Sequence, residues 1–255
     1  MIGRLLSITV ALTCLGTASP VAHADPVPVL RPTVLAALPH DPSAFTEGLV
    51  LDGASLYEST GLVGHSELRE LDPATGALRR SAALPPDYFG EGIAVVGDRI
   101  WQLTYRNGVA IEWDRAGLTR IREVPLPGES WGLCHDGARL IRSDGSARLH
   151  IHNPADLREI GSIPVTLNGI ELTGLNGLSC TPKAIWANVF PSNQIVRIDA
   201  GTGVVQAVVD VEGLLEPRYR DNVHILNGIT AVSDTEFLIT GKDWPQLYRV
   251  TFDPA

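Results

Sequence analysis

Glu47-Gly48-Leu49, Glu91-Gly92-Ile93, Trp131-Gly132-Leu133, Asn176-Gly177-Leu178 and Asn227-Gly228-Ile229 repeat one outline along the chain. Each is a polar or aromatic residue, a glycine and an aliphatic residue opening a short apolar run. The glycines are spaced by 44, 40, 45 and 51 residues, which matches the length of one four-stranded propeller blade. The first copy continues through Gly48–Leu51, the turn Asp52-Gly53, Ser55–Ser59, Glu67–Leu71 and the turn Asp72-Pro73-Ala74-Thr75-Gly76. The third runs Gly132–Cys134, Asp136-Gly137, Arg139–Ser143, Asp144-Gly145, Ala147–His152 and Asn153-Pro154. Short strands bounded by Asp-Gly and Asn-Pro are hairpin signals. No stretch has the apolar period of a dozen-residue helix. The expectation is an all-β chain, a five-bladed β-propeller of four-stranded antiparallel blades.

Composition agrees. The 255 residues include 25 Gly and 18 Pro, only 19% are charged, and 44% are hydrophobic. That suits many turns around an ample core and excludes disorder as a description of the whole chain. A formal net charge of −9 offers no basic footprint for nucleic acid. Lys183 and Lys242 are the only lysines.

Outside the repeats, Arg4 precedes the apolar stretch Leu5–Leu15, followed by Gly16, Pro20 and Ala22-His23-Ala24. This reads as a signal peptide over 1–24, cleaved after Ala24, which would export a soluble protein. The apolar run is about half of the ~20 residues a membrane span needs. The remainder, 25–255, is expected to be one propeller domain, a monomer that does not engage the membrane after cleavage. Cys134 and Cys180 either pair in an oxidising compartment or stay as buried free thiols, and spacing leaves both open. The last repeat, Asn227 to Phe252, holds only three strands. Pro32–Leu38, which precedes the first repeat, is therefore expected to supply the outer strand of the last blade and close the ring.

In such a ring the first strand of every blade is innermost, so the residues before the repeat glycines converge: Glu47, Glu91, Trp131, Asn176 and Asn227. Two carboxylates, an indole and two carboxamides either satisfy strand ends and channel water or form a binding site. Phe45, Phe89, Gln102, Tyr105, Asn188, Phe190, Lys242 and Trp244 are expected near the same mouth. No nucleophile elbow, zinc-protease helix, phosphate loop or Cys-x-x-Cys occurs. His150 and His152 place two imidazoles on one strand face, too few for a metal site without a third ligand.

Ten ordered stretches together resemble the glutaminyl-peptide cyclotransferases of the plant and bacterial type. They are Pro39-His40-Asp41 with Phe45-Thr46-Glu47-Gly48-Leu49; Tyr57-Glu58-Ser59-Thr60-Gly61; Phe89-Gly90-Glu91-Gly92-Ile93; Gln102-Leu103-Thr104-Tyr105; and Trp131-Gly132-Leu133. Further along come Ser143-Asp144-Gly145-Ser146; Leu175-Asn176; Trp186-Ala187-Asn188-Val189-Phe190; Leu226-Asn227-Gly228-Ile229; and Thr240-Gly241-Lys242-Asp243-Trp244-Pro245. The resemblance implies a five-bladed propeller that converts N-terminal glutamine of peptides or proteins to pyroglutamate with release of ammonia. It implies Glu91 as proton shuttle, Asn176 as donor to the γ-carbonyl oxygen and Lys242 as a nearby positive charge. Phe45, Glu47, Phe89, Tyr105, Trp131 and Phe190 would then bind the substrate. No cofactor is needed for the chemistry, while a structural calcium on the axis, held partly by backbone carbonyls, is compatible with the family.

The chain departs from the family at four places. Glu47 stands where glutamine is common, Tyr105 and Phe190 where tryptophans are expected, and Asn176-Gly177-Leu178-Ser179 replaces Asn-Glu-Leu-Glu. A propeller that binds peptides without turnover is the rival reading, and a metal-dependent lactonase is a third.

Overall fold

The computed structural model describes residues 26–219 and 225–255, so the expected signal segment lies outside the described residues. The fold is all-β. Its only described helical element is a single 3₁₀ turn at Pro217–Tyr219. No helix among the described residues is long and apolar enough to cross a membrane.

After a leading strand β1 (Val29–Pro39), each repeat folds as consecutive antiparallel strands. The first sheet is β2 (Thr46–Asp52), β3 (Ser55–Thr60), β4 (Glu67–Leu71) and β5 (Leu78–Ala83); the second is β6 (Gly90–Val96), β7 (Arg99–Thr104), β8 (Val109–Asp114) and β9 (Thr119–Pro125). The third is β10 (Leu133–His135), β11 (Leu140–Arg142), β12 (Arg148–His152) and β13 (Glu159–Pro164). A small hairpin, β14 (Thr166–Leu167) and β15 (Ile170–Glu171), leads into β16 (Leu175–Cys180), β17 (Ile185–Val189), β18 (Gln194–Ile198) and β19 (Val205–Asp210). The last repeat gives three strands, β20 (Leu226–Ala231), β21 (Glu236–Gly241) and β22 (Gln246–Pro254).

Tight turns set the registers. Asp52 faces Ser55 across the turn whose Gly53 has φ +59°, and Val96 faces Arg99 across Gly97, also at φ +59°. Those left-handed positions suit glycine and fix which face each strand presents inward. Burial falls from the first strands outward. β3 and β7 are buried except at their first residue, whereas β5 and β9 are mostly exposed.

The apolar residues form five clusters, each between neighbouring repeats. Tyr57 and Leu68 pack with Ile93, Ile100 and Ile111; Trp101 and Leu103 pack with Leu133 and Leu140; Ile141 and Leu149 pack with Leu175 and Leu178. Trp186 and Ile195 pack with Phe237 and Ile239, and the last cluster joins Leu238 and Leu247 to Leu49, Leu56 and Leu71 of the first sheet. Each fully buried Leu or Ile contributes roughly 1.5–3 kcal/mol, so the seams between repeats carry most of the apolar stabilisation. The first strands follow the same cycle: β2 contacts β6, β6 contacts β10, β10 contacts β16, β16 contacts β20 and β20 contacts β2.

β1 lies antiparallel to β22, from Leu30 opposite Pro254 to Pro39 opposite Gln246, with a bulge between Val34 and Ala36. Its leading residues also pair in parallel with β19, Val29 with Val208 and Leu30 with Val209. This second pairing, unforeseen from the sequence, joins the fourth and last repeats into one eight-stranded sheet.

Cys134 and Cys180 are joined as a disulfide between β10 and β16, 46 residues apart in sequence. A loop of that length gives about 4 kcal/mol in the chain-entropy account. Cys134→Ser with Cys180→Ser should therefore lower the calorimetric Tm by about 10 °C. An unchanged Tm would show that the bridge contributes nothing.

Candidate active site

Phe45, Glu47, Phe89, Glu91, Tyr105, Trp131, Asn176, Phe190 and Lys242 line one cavity of about 180 Å³. These are the nine site residues that the sequence singles out. Clefts of about 300, 370 and 560 Å³ occur elsewhere. The smaller cavity stands apart in its chemistry, with two buried carboxyls and an ammonium among aromatic rings.

The repeat geometry explains the convergence. Glu47, Glu91 and Asn176 are the second residues of β2, β6 and β16, and Trp131 lies two residues before β10. Phe45 and Phe89 sit just before β2 and β6, while Tyr105, Phe190 and Lys242 sit just beyond the ends of β7, β17 and β21. One end of the sheets therefore supplies the whole site from strand beginnings and the ends of the strands beside them.

Two aromatic walls face this space. Phe45 meets Phe89 edge-on with centroids 6.1 Å apart, and Phe89 leans on Tyr105 at 5.7 Å. Opposite, Trp131 meets Phe190 edge-on at 5.7 Å. Lys242 Nζ lies over the rings of Phe45 and Phe190, 4.5 and 5.7 Å from their centroids, and so touches both walls. Glycine makes room for the indole: a Cβ on Gly145, at φ +80°, would fall 2.5 Å from the Trp131 ring. The Trp131 indole nitrogen is buried and has no hydrogen-bond partner.

The charges are unequally compensated. Glu47 is 1% exposed and accepts from Lys242 Nζ at Oε1 and from Asn227 Nδ2 at Oε2, both at 2.7 Å. Burial pushes its carboxyl up to about 7, against the pull of Lys242 and Asn227. Glu91, 5% exposed, has no such cation of its own, and its Oε2 has no partner. Burial first, then the Glu47 charge, hold it well above the usual carboxylate range; Lys242 opposes them, and Glu129 adds slightly to the rise. Asn176 Oδ1 is also without a partner. A carboxyl held well above the usual carboxylate range, beside uncommitted amide and indole groups, can exchange protons with a polar guest and hydrogen-bond it.

Asn227, placed by sequence in the same ring, does not line the cavity. It stands behind Glu47 and also donates to the Thr46 carbonyl at 3.2 Å. Three other residues expected near the mouth lie elsewhere. Gln102 and Asn188 sit within β7 and β17, short of the strand ends. Gln102 Nε2 donates to Ser59 Oγ at 2.7 Å, and Asn188 Oδ1 accepts from Gly228 N at 3.1 Å. Trp244 is buried in the apolar cluster of the last sheets.

Among the described residues no group of three or more His, Cys, Asp or Glu could hold a metal ion. Both Glu47 oxygens accept hydrogen bonds, and the carbonyls of Trp131 and Asn176 accept from Gly92 N and Ser143 Oγ. His150 is held between Asp144 and Glu159, while His152 faces the Leu157 carbonyl and the Arg142 guanidinium.

An all-β scaffold presenting a small aromatic cavity with two high-pKa carboxyls defines a site suited to proton transfer on a compact polar group. The chain belongs to the glutamine cyclotransferase family, whose model matches residues 6–252. It is 35% identical over 229 residues to a glutaminyl-peptide cyclotransferase of Arabidopsis thaliana, covering 87% of this chain and 71% of the relative. Among solved structures, the glutaminyl cyclase of Myxococcus xanthus superposes with a TM-score of 0.83 at 32% identity, covering 91% of this chain and all of the other.

The uncompensated carboxyl has a consequence for stability. A raised folded-state pKa means tighter proton binding in the folded state, so this contribution is full below about pH 4.5 and is lost as pH rises toward the folded value. Glu91→Gln has no such proton to lose. Its Tm should match that of the unsubstituted protein near pH 4.5 and exceed it at pH 8, and the reverse order at pH 8 would contradict the burial cost assigned to Glu91.

Proposed function

We propose that the chain is a single-domain, five-bladed β-propeller, closed by β1, and a glutaminyl-peptide cyclotransferase whose chemistry takes place in the nine-residue cavity. The cyclic contacts of the first strands, the five core clusters between repeats and the pairing of β1 with β22 support the architecture. Uncompensated Glu91, facing the same small cavity as Asn176 and Lys242, carries the mechanistic reading.

The reaction joins two groups of one residue. The α-amine of an N-terminal glutamine attacks its own γ-amide carbon, a five-membered lactam forms, and the amide nitrogen leaves as ammonia. The nucleophile belongs to the substrate, so the protein's first task is to fold the side chain back on itself, which the aromatic walls accomplish while excluding water. Attack leaves the amine nitrogen positive and the carbonyl oxygen negative. Glu91, as carboxylate, takes a proton from that nitrogen and gives it to the departing amide nitrogen. The C–N bond then breaks and ammonia departs, with no net proton gained or lost by the enzyme.

Burial raises the Glu91 carboxyl well above the usual carboxylate range, and the substrate's ammonium supplies positive charge that favours its ionised form. One proton must leave the pair formed by the amine and Glu91 before attack. Asn176, turned to present its amide hydrogens, donates to the developing oxyanion, and the Trp131 N–H is a second available donor. Lys242 is anchored by Glu47 and acts on the oxyanion through its field.

Incubation of the purified protein with a Gln-initiated peptide should yield a product lighter by one ammonia. Glu91→Gln should lower kcat/KM by about 10² to 10⁴, and Asn176→Ala by about 10² to 10³. The kcat/KM of the unsubstituted enzyme should fall tenfold per pH unit on the acid side as the required proton is retained. Turnover by Glu91→Gln at the unsubstituted rate would remove Glu91 from the mechanism.

A further inference from the structure

The motif residues His40 and Glu58 lie outside the cavity, yet they meet in a buried charged network directly behind it. Glu58 is fully buried, and its Oε1 accepts from Thr46 Oγ1 at 2.7 Å while facing His40 Nε2 at 2.9 Å. His40 Nδ1 donates to the Trp244 carbonyl at 2.7 Å. A carbonyl can only accept, so Nδ1 carries a hydrogen, and a second hydrogen shared with Glu58 makes an imidazolium–carboxylate pair. Arg69 Nη1 stands 3.3 Å from Glu58 Oε2, and Arg69 Nη2 donates to Asp41 Oδ2 at 2.8 Å. Asp41 in turn accepts from the amide and hydroxyl of Ser43.

The partners of this network bracket the reacting groups. Thr46 precedes Glu47, and its carbonyl shares the Asn227 amide with the Glu47 carboxylate. Trp244 lies two residues beyond Lys242. The two segments are also clasped by backbone bonds, His40 N to the Pro245 carbonyl at 3.0 Å and Asp243 N to the Ala44 carbonyl at 2.9 Å. One carboxylate thus ties the segment bearing Phe45 and Glu47 to the segment bearing Lys242. Buried ion pairs are weak contributors to stability against an apolar replacement, so three buried charged groups, His40, Glu58 and Arg69, need another reason at this place, and fixing geometry is one.

We propose that Glu58, held by His40 and Arg69, is a positioning residue that sets the placement of the Glu47–Lys242 pair in the cavity. The proposal rests on the cyclotransferase reading for its kinetic test and is independent of it for its spectroscopic test. Glu58→Gln keeps the size of the side chain and removes the charge. Thr46→Val cuts the Thr46 arm alone with little change of shape, and it serves if Glu58→Gln does not fold.

Each variant is made in the unsubstituted protein and in a Glu47→Gln background. Lysine-selective ¹⁵N labelling gives two side-chain signals, one from exposed Lys183 and one from buried Lys242. The folded variants should lose kcat/KM by about tenfold or more in the unsubstituted background. In the Glu47→Gln background they should lose less than about twofold, because the interaction they act through is already gone. The Lys242 signal should shift or broaden in the single variants while the Lys183 signal stays. Equal losses in both backgrounds, no loss in either, or an unmoved Lys242 signal would overturn the proposal. If the unsubstituted protein does not cyclise the peptide, the cyclotransferase reading fails and the Lys242 signal alone decides the positioning role.

Discussion

Neighbouring first strands approach so closely that a side chain at the repeat glycine would have no place. A Cβ on Gly132 would lie 2.1 Å from the Asn176 carbonyl oxygen, and one on Gly92 would lie 2.5 Å from Leu133 N, where Gly92 N already donates to the Trp131 carbonyl at 2.7 Å. This contact sets how neighbouring first strands lie against one another. Because alternate residues of a strand point to opposite faces, it also determines where the residues preceding those glycines point. The five seams of apolar packing hold the repeats in register behind those strands.

The starts of these strands concentrate charge in a place where burial makes charge costly. Glu47 is matched by Lys242 and by the Asn227 amide, whereas Glu91 is matched by nothing comparable within the protein. Such an imbalance raises the Glu91 carboxyl well above the usual carboxylate range, which burdens the folded state and suits the site to proton exchange. Behind it, Glu58 pairs with His40 and Thr46 through Oε1, and the partners of that pair lie on the two segments that meet at Glu47 and Lys242. Neutral, uncommitted groups complete the cavity: the Asn176 carboxamide and the Trp131 indole, enclosed by two aromatic walls.

Much of this was legible in the sequence because the fold repeats. A polar residue before each glycine marks a strand start, and the family motifs place Phe45, Tyr105, Phe190 and Lys242 at neighbouring strand ends. The legible part is therefore what depends on position along a strand. What depends on side-chain pairing across strands was not legible: Asn227 turns to Glu47, Lys242 is engaged by the same carboxylate, and Gln102 and Asn188 satisfy neighbours one step inside the strands. Spacing also could not choose between free thiols and the Cys134–Cys180 bridge, which depends on β10 lying beside β16. The small hairpin before β16 and the parallel pairing of β1 with β19 leave no periodic signal, being too short.

The claim at the centre of this account is that the cavity joins the substrate's own amine to its own amide carbon. A peptide whose N-terminal glutamine carries ¹⁵N only in the side-chain amide reports on this directly. Incubation with the purified protein should release all the label as ammonia and leave a product that has lost ammonia and gained no water. Absence of labelled ammonia above the spontaneous rate, or a product that has gained water in place of the lost ammonia, would contradict it.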